Sequence, residues 1–374
     1  MKIKNHHRAL LGLLLVPELG KRRIKQLLKT QQAEDAAEIF NLHASDIEKL
    51  YGFGTQLSRN LMEFDDWDQV DKILHQTEQA GAELISYTHE CYPALLKHIY
   101  DPPVLLWVKG DKSALNVPGI AVIGTRQPGR YGLEQTEAWT EKLVGHGLCI
   151  NSGLAYGVDA MAHRTALNKG GKTVAVLGSG IDVIYPAKNS ALANGMIEKG
   201  GAVITEFPPG TKPDAVNFPE RNRIVSGMSH GVLVVESGIK GGSMITARSA
   251  LDQNREVFVI PHQLGYKKGE GCNYLIRTGQ GKLVQSIPDI LDEISVETSR
   301  MNGDTKTEKK SVWTEMELSD EEKEICALLS ENRVHIDALS EKVSKPAYKL
   351  LPVLLNLEIK GAVRQKAGKY FELC

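Results

Sequence analysis

"IAVIGTRQPGRYG" (Ile120–Gly132) joins an unbroken apolar run to a loop punctuated by glycine, and its reading decides the fold. Consecutive aliphatic residues without in-out alternation predict a strand covered on both faces, the state of strands in a parallel sheet. The glycines and arginines that follow predict a tight turn into a helix. The unit then repeats. Strands are expected at "LCINSG", "TVAVLG", "AVITE", "GVLVVE" and "EVFVIP", alternating with helices near residues 131–146, 159–167, 190–199, 221–228 and 243–254. This alternation predicts an α/β fold with a Rossmann-like, doubly wound, mostly parallel sheet.

Working outward, residues 1–80 read as short helices separated by "PELG" and "YGFG", an all-helical SAM/helix-hairpin-helix-like module. Short strands and proline corners ("AELISY", "DPPVLLWVKG") lead into a Rossmann-like domain over 81–295. Residues 296–315 are poor in large apolar side chains and are expected to form a flexible linker. Residues 316–374 offer three helices and a hairpin, "AVRQKAGKYFELC", turning at Ala367-Gly368, which predicts a winged helix.

The chain of 374 residues exceeds the usual single domain of roughly 100–200 residues. Its formal charge of −1 conceals a balance of +7 over residues 1–30 and −9 over 31–115, so any polyanion site has to be a local groove. Cys91, Cys149, Cys272, Cys326 and Cys374 are scattered with no CxxC pair or ligand-spaced histidines, which argues against disulfides and a metal site. The apolar run from Ala9 to Pro17 is too short for a membrane span and has no cleavage site after it. A cytoplasmic protein with no membrane association is expected.

Four glycine loops follow strands: Val122–Gly132, Asn151–Asp159, Leu177–Pro186 and Glu236–Ala247. In open α/β sheets ligands lie beyond the carboxyl ends of the strands, where backbone amides attract anions. One such loop can be a turn and nothing more. Four together, with Arg126, Lys188, Arg221 and Arg223 nearby, predict a phosphate-lined groove. The alternative for Arg221 and Arg223 is a salt bridge to Glu206 or Glu220. Gly171-Lys172-Thr173 imitates the end of a Walker A loop, but it precedes a strand and Ala166 holds the leading glycine position. Asp159 and His163 share a helix face, and capping of backbone amides by the carboxylate is favoured there over acid–base catalysis.

"VIGTR…YG", "SGLAYGVDAMAH", "AVLGSGIDVIYPAKN", "FPERNRIVSGMS", "VVES…GGSMITA" and "GCNYLIRTG", in this order, resemble the DNA-processing protein A family (DprA, also called Smf). The likeness extends over nearly the whole chain. It implies a non-enzymatic protein without cofactor that binds single-stranded DNA, protects incoming DNA and loads RecA recombinase onto it in natural transformation, the competence pathway, and in recombination. Implied partners are RecA and single-strand binding protein, and the implied assembly is a homodimer. The matching DNA-binding positions are Gly124, Thr125, Arg126, Ser152, Gly153, Gly157, Lys188, Arg221, Arg223, Gly242, Ser243 and Thr246. Tyr156 stands where many members carry arginine, and reads either as a stacking ring or as packing.

The rival reading is a nucleotide N-glycoside or phosphate hydrolase, and a third is a nucleotide-sensing regulator. Rossmann-like hydrolases carry a PGGxGT…E loop, whereas "GGSMITARSA" has Arg248 and Ser249 where that acid is sought. "VPELGKRRIKQLLK" resembles a helix-hairpin-helix with Lys21, Arg22, Arg23, Lys25 and Lys29 to meet phosphate, but Glu18 replaces the hairpin glycine, and a protein–protein helix pair is the alternative reading. The winged-helix tail sums to −1, so a protein-contact or regulatory role is expected of it.

Overall fold

The computed structural model describes residues 2–30, 36–50, 52–294, 313, 316, 318–329, 334–366 and 370–373. It forms two compact units, Met1–Met301 and Asn302–Cys374.

The first unit opens with helices α1 (Lys2–Leu15), α2 (Gly20–Thr30), α3 (Ala44–Glu48), α4 (Thr55–Met62) and α5 (Trp67–Gln79). The turn between α1 and α2 places Glu18 at φ 65° and Gly20 at φ 50°, with Leu19 buried between them. Glu18 thus adopts the left-handed backbone that glycine meets without strain. The turn between α3 and α4 repeats the arrangement with Gly52 at φ 84° and buried Phe53.

Strands β1 (Glu83–Ser86) and β2 (Leu105–Gly110) follow, then β3 (Gly119–Ile123), α6 (Arg130–Gly145), β4 (Cys149–Ser152), α7 (Val158–Asn168), β5 (Thr173–Val176), α8 (Ser190–Glu198) and β6 (Ala202–Thr205). The unit continues through α9 (Asn217–Gly227), β7 (Gly231–Val234), α10 (Gly242–Asp252), β8 (Glu256–Val259), α11 (Glu270–Arg277), β9 (Lys282–Leu283) and α12 (Pro288–Leu291). The sheet order is β1-β2-β6-β5-β4-β3-β7-β8-β9, parallel from β6 to β9. β1 and β2 join antiparallel at the β6 edge. The chain therefore winds outward from β3 in one direction, returns, and winds outward from β7 in the other, which makes the β3–β7 gap the topological switch point. Strands β3, β4, β5, β6 and β7 are buried along their whole length, as their unbroken apolar runs require.

The helical front is not a separate bead. Leu10, Leu13, Ile24 and Ile39 from the helices share one apolar cluster with Trp107 of β2, Leu177 just after β5 and Met196 of α8. Helix α9 begins at Asn217 rather than near Arg221, because Pro219 in the first turn needs no amide partner.

The second unit contains α13 (Asp320–Leu328), β10 (Val334–His335), α14 (Ile336–Val343), α15 (Ala347–Ile359), β11 (Val363–Lys366) and β12 (Tyr370–Leu373). Ser319 and Glu322 form a capping box at α13. The expected two-stranded ribbon is extended to three strands, β10-β12-β11, since the two residues of β10 are too few to show a strand period in the sequence. The expected linker, Trp313 apart, and the turn at Ala367-Gly368 lie outside the described residues. Among the described residues no helix is long and apolar enough to cross a membrane.

Candidate functional site

A groove of about 740 Å³ opens at the switch point. It is lined by Gly124, Thr125 and Arg126 after β3, by Gly153 and Ala155 after β4, and by Ser237, Gly238, Gly241, Gly242, Ser243, Ile245 and Thr246 around the start of α10. Tyr185 and the first turns of α9, including Phe218, Arg221 and Asn222, complete it.

The four glycine loops are not equivalent, which modifies the expectation that all of them present amides to an anion. At α6 the carboxylate of Glu236, fully buried at the end of β7, accepts from the amide of Gly129 at 3.0 and 3.2 Å and from the Tyr266 hydroxyl at 3.3 Å. At α7 the carboxylate of Asp159 accepts from the amides of Gly153 and Ala155 at 3.1 and 3.3 Å. These two helix starts carry an anion of the protein's own. The third loop is tied to the segment between β6 and α9: the Gly180 amide donates to Thr211 O at 2.9 Å and the Gly210 amide to Asp182 at 2.8 Å. At α10, by contrast, Gly242 and Ser243 sit in the first helical turn, where the helix supplies no acceptor for their amides, and both face the groove. The Ser243 hydroxyl donates to Ser237 Oγ at 2.7 Å and shapes that loop.

The groove also holds an aromatic surface. Phe218 lies 5.7 Å from Tyr185, centroid to centroid, and the exposed Arg126 places its guanidinium carbon 5.5 Å from the Phe218 ring. A cation over a ring in the same groove as an open helix start suits an anionic backbone carrying flat bases. The sequence reading missed Phe218, Tyr185 and Asn222, although the aromatic in "NFPERNR", just ahead of the paired arginines, was the available signal.

Of the expected site residues, Gly124, Thr125, Arg126, Gly153, Arg221, Gly242, Ser243 and Thr246 line this groove. Arg221 does so from within the wall. It is 4 % exposed, donates to Gly153 O at 2.5 Å and to Val176 O, and faces Asp159. Burial draws its pKa down to about 10, against the pull of Asp159. Burial likewise raises the Asp159 pKa, opposed by Arg221. A close approach explains Gly153: a Cβ there would strike the Arg221 guanidinium.

The others lie elsewhere. Ser152 is buried and donates to Val122 O at 2.7 Å. Gly157, at φ 78°, packs against Thr125 O, where a Cβ would collide. Tyr156 and Lys188 are exposed outside the groove lining. Arg223 is on the far side of α9, 2.5 Å from Glu206 and 3.1 Å from Asp101, so the expected phosphate clamp is an ion-paired strut instead. Lys172 reaches Asp111 at 2.8 Å as the chain enters β5, which accounts for the Walker-like tripeptide without a nucleotide. His163 contacts Thr173 Oγ1 at 2.6 Å in the core, and Asp159 is committed to its capping bonds.

Comparison with known proteins follows the same outline. The family model of the DNA recombination-mediator protein A matches residues 83–295, and that of the DprA winged helix domain matches residues 312–369. Protein Smf of Escherichia coli (strain K12) is 36 % identical over 81 % of this chain and 81 % of its own length. The DNA processing protein DprA of Streptococcus pneumoniae (strain ATCC BAA-255 / R6) is 42 % identical over 60 % of this chain and 79 % of its own. An X-ray structure of DNA processing protein A from Streptococcus pneumoniae superposes with a TM-score of 0.65 at 34 % identity, covering 79 % of this chain and 99 % of that one. A structure of the Helicobacter pylori protein, described for its single-stranded DNA binding mode, superposes with a TM-score of 0.52 at 29 % identity, covering 59 % of this chain and 99 % of that one.

Proposed function

The chain belongs to the DNA recombination-mediator protein A family, and from that membership together with its groove we propose that it is a non-enzymatic single-stranded DNA-binding mediator that protects incoming DNA and loads RecA recombinase onto it in natural transformation and recombination. The observation that carries the reading is the Arg126–Phe218 pair at the open start of α10. Arginine meets phosphate, the ring meets a base, and neither selects a sequence. The Helicobacter pylori relative, described for single-stranded DNA binding, supports this use of the fold. The candidate acid, Asp159, is occupied in holding two amides, which weighs against hydrolysis of a nucleotide. A strand gripped by amides and guanidinium groups can be handed on without spending a nucleotide. The family resemblance extends the proposal to a homodimer that works beside single-strand binding protein.

The test adds the protein to a strand coated by single-strand binding protein and follows RecA filament growth. Growth should accelerate, and an Arg126→Glu variant should lose the acceleration in proportion to its reduced affinity for DNA. Strand binding without any effect on RecA would remove the loading role and leave the binding role standing. Release of base or phosphate from mononucleotides would favour the hydrolase instead.

A further inference from the structure

A second cleft, also about 740 Å³, lies on the other side of α9 from the groove. Helix α9 turns Phe218, Arg221 and Asn222 to the groove and Glu220 and Arg223 to this cleft. One helix, about 10–12 Å across with its side chains, separates the two. The opposite wall is the first hairpin, Leu19 to Arg23, with Gly52 of the second hairpin beside it.

The charges of the cleft sort into two sets. Lys21 and Arg223 converge on Glu206, at 2.6 and 2.5 Å, while Lys21 stands 3.7 Å from Glu220 and Arg223 stands 3.1 Å from Asp101. These two cations answer the acids. Arg22 and Arg23 are exposed and meet no carboxylate among the described residues. Arg23 is tethered by a 2.8 Å bond to Glu18 O. Arg22 sets its guanidinium carbon 4.1 Å from the centre of the Tyr100 ring, and Tyr100 is 73 % exposed. A ring so exposed contributes little to the core. With a guanidinium over it beside a cationic cleft, the ring can serve as a platform for a base, with arginines at hand for the flanking phosphates.

We propose that Arg22, Arg23 and Tyr100 form a second contact site for single-stranded nucleic acid, engaged by the part of a strand that crosses α9 from the groove. The inference rests on the groove reading above and deepens it: a strand longer than the groove gains affinity from the hairpin side. The site should therefore matter only to long strands.

The test compares fluorescence anisotropy of thymidine oligomers of about 6 and about 20 nucleotides, near the short end of ordinary single-strand site sizes and beyond the long end. Replacing both Arg22→Ala and Tyr100→Ala should weaken binding of the long oligomer about tenfold and leave the short one unchanged. The salt slope of this double variant for the long oligomer should flatten by roughly 0.7, since one phosphate no longer has a cationic partner. Tyr100→Phe should keep the wild-type affinity, since the ring and not the hydroxyl is used. Unchanged binding of the long oligomer, or an equal weakening for both lengths, would overturn the second site while the groove stands. If the wild type binds neither oligomer, both readings fall.

Discussion

A buried arginine is costly to keep, so Arg221 has to contribute where it lies. It ties the start of α9 to the carboxyl ends of β4 and β5 through Gly153 O and Val176 O, and it answers the charge of Asp159. "NFPERNR" makes an arginine cluster legible but not which arginine turns inward, because that depends on a helix start fixed by Pro219. Arg126 was legible for the opposite reason: it follows a strand end directly, so its place at the sheet edge needs no helical register. His163 gives a prediction at this scale. Burial holds its pKa down to about 3, from an ordinary value of 6.5, so the folded protein keeps it neutral. Below the ordinary value the unfolded chain binds the extra proton. Stability is therefore complete above about pH 6.5 and is lost as pH falls toward 3, by roughly 1.4 kcal/mol per pH unit for this group. Denaturant midpoints measured from about pH 7.5 down to about pH 5 should fall less steeply in His163→Gln than in the wild type. Parallel slopes would contradict the assignment.

At the scale of elements, the strands from β3 to β8 and the helices between them were legible because parallel strands are apolar throughout and their helices follow at regular intervals, whereas α11, the two-residue β9 and the four-residue α12 were not read. Which glycine loop is open to a ligand was not. The start of α6 is filled by Glu236, a residue over a hundred positions later in the chain, at 3.0 Å from Gly129 N. No local pattern announces such a partner. The winged helix offers the reverse case, where the sequence already showed too little positive charge. In the structure Lys345 and Lys360 pair with Glu321 and Glu322 at 2.9 and 2.8 Å. Tyr348, Leu351, Leu355 and Ile359 form an exposed apolar stripe along α15, the element that would enter a major groove. A fragment of residues 316–374 should therefore show no tight binding to duplex DNA at physiological salt in a gel-shift titration. Tight, salt-sensitive duplex binding would mean that the helix reads DNA after all.

At the scale of the whole molecule, βα alternation made the parallel sheet legible but not its order. Both windings start beside β3, and only the order β6-β5-β4-β3-β7-β8-β9 brings the loop after β3 next to the start of α10. The antiparallel β1–β2 pair, added at the β6 edge, gives the helical front a surface through Trp107. That arrangement gathers Arg126, Phe218 and the start of α10 in one groove, although the chain as a whole is nearly neutral. The central claim is that this groove holds a single strand by its phosphates. The most direct measurement is the affinity of wild type and Arg126→Ala for oligonucleotides of several base sequences over a range of salt concentrations. The variant should lose affinity equally for every sequence, with its log-log salt slope flatter by roughly 0.7. A variant that binds with the wild-type affinity and slope would contradict that claim.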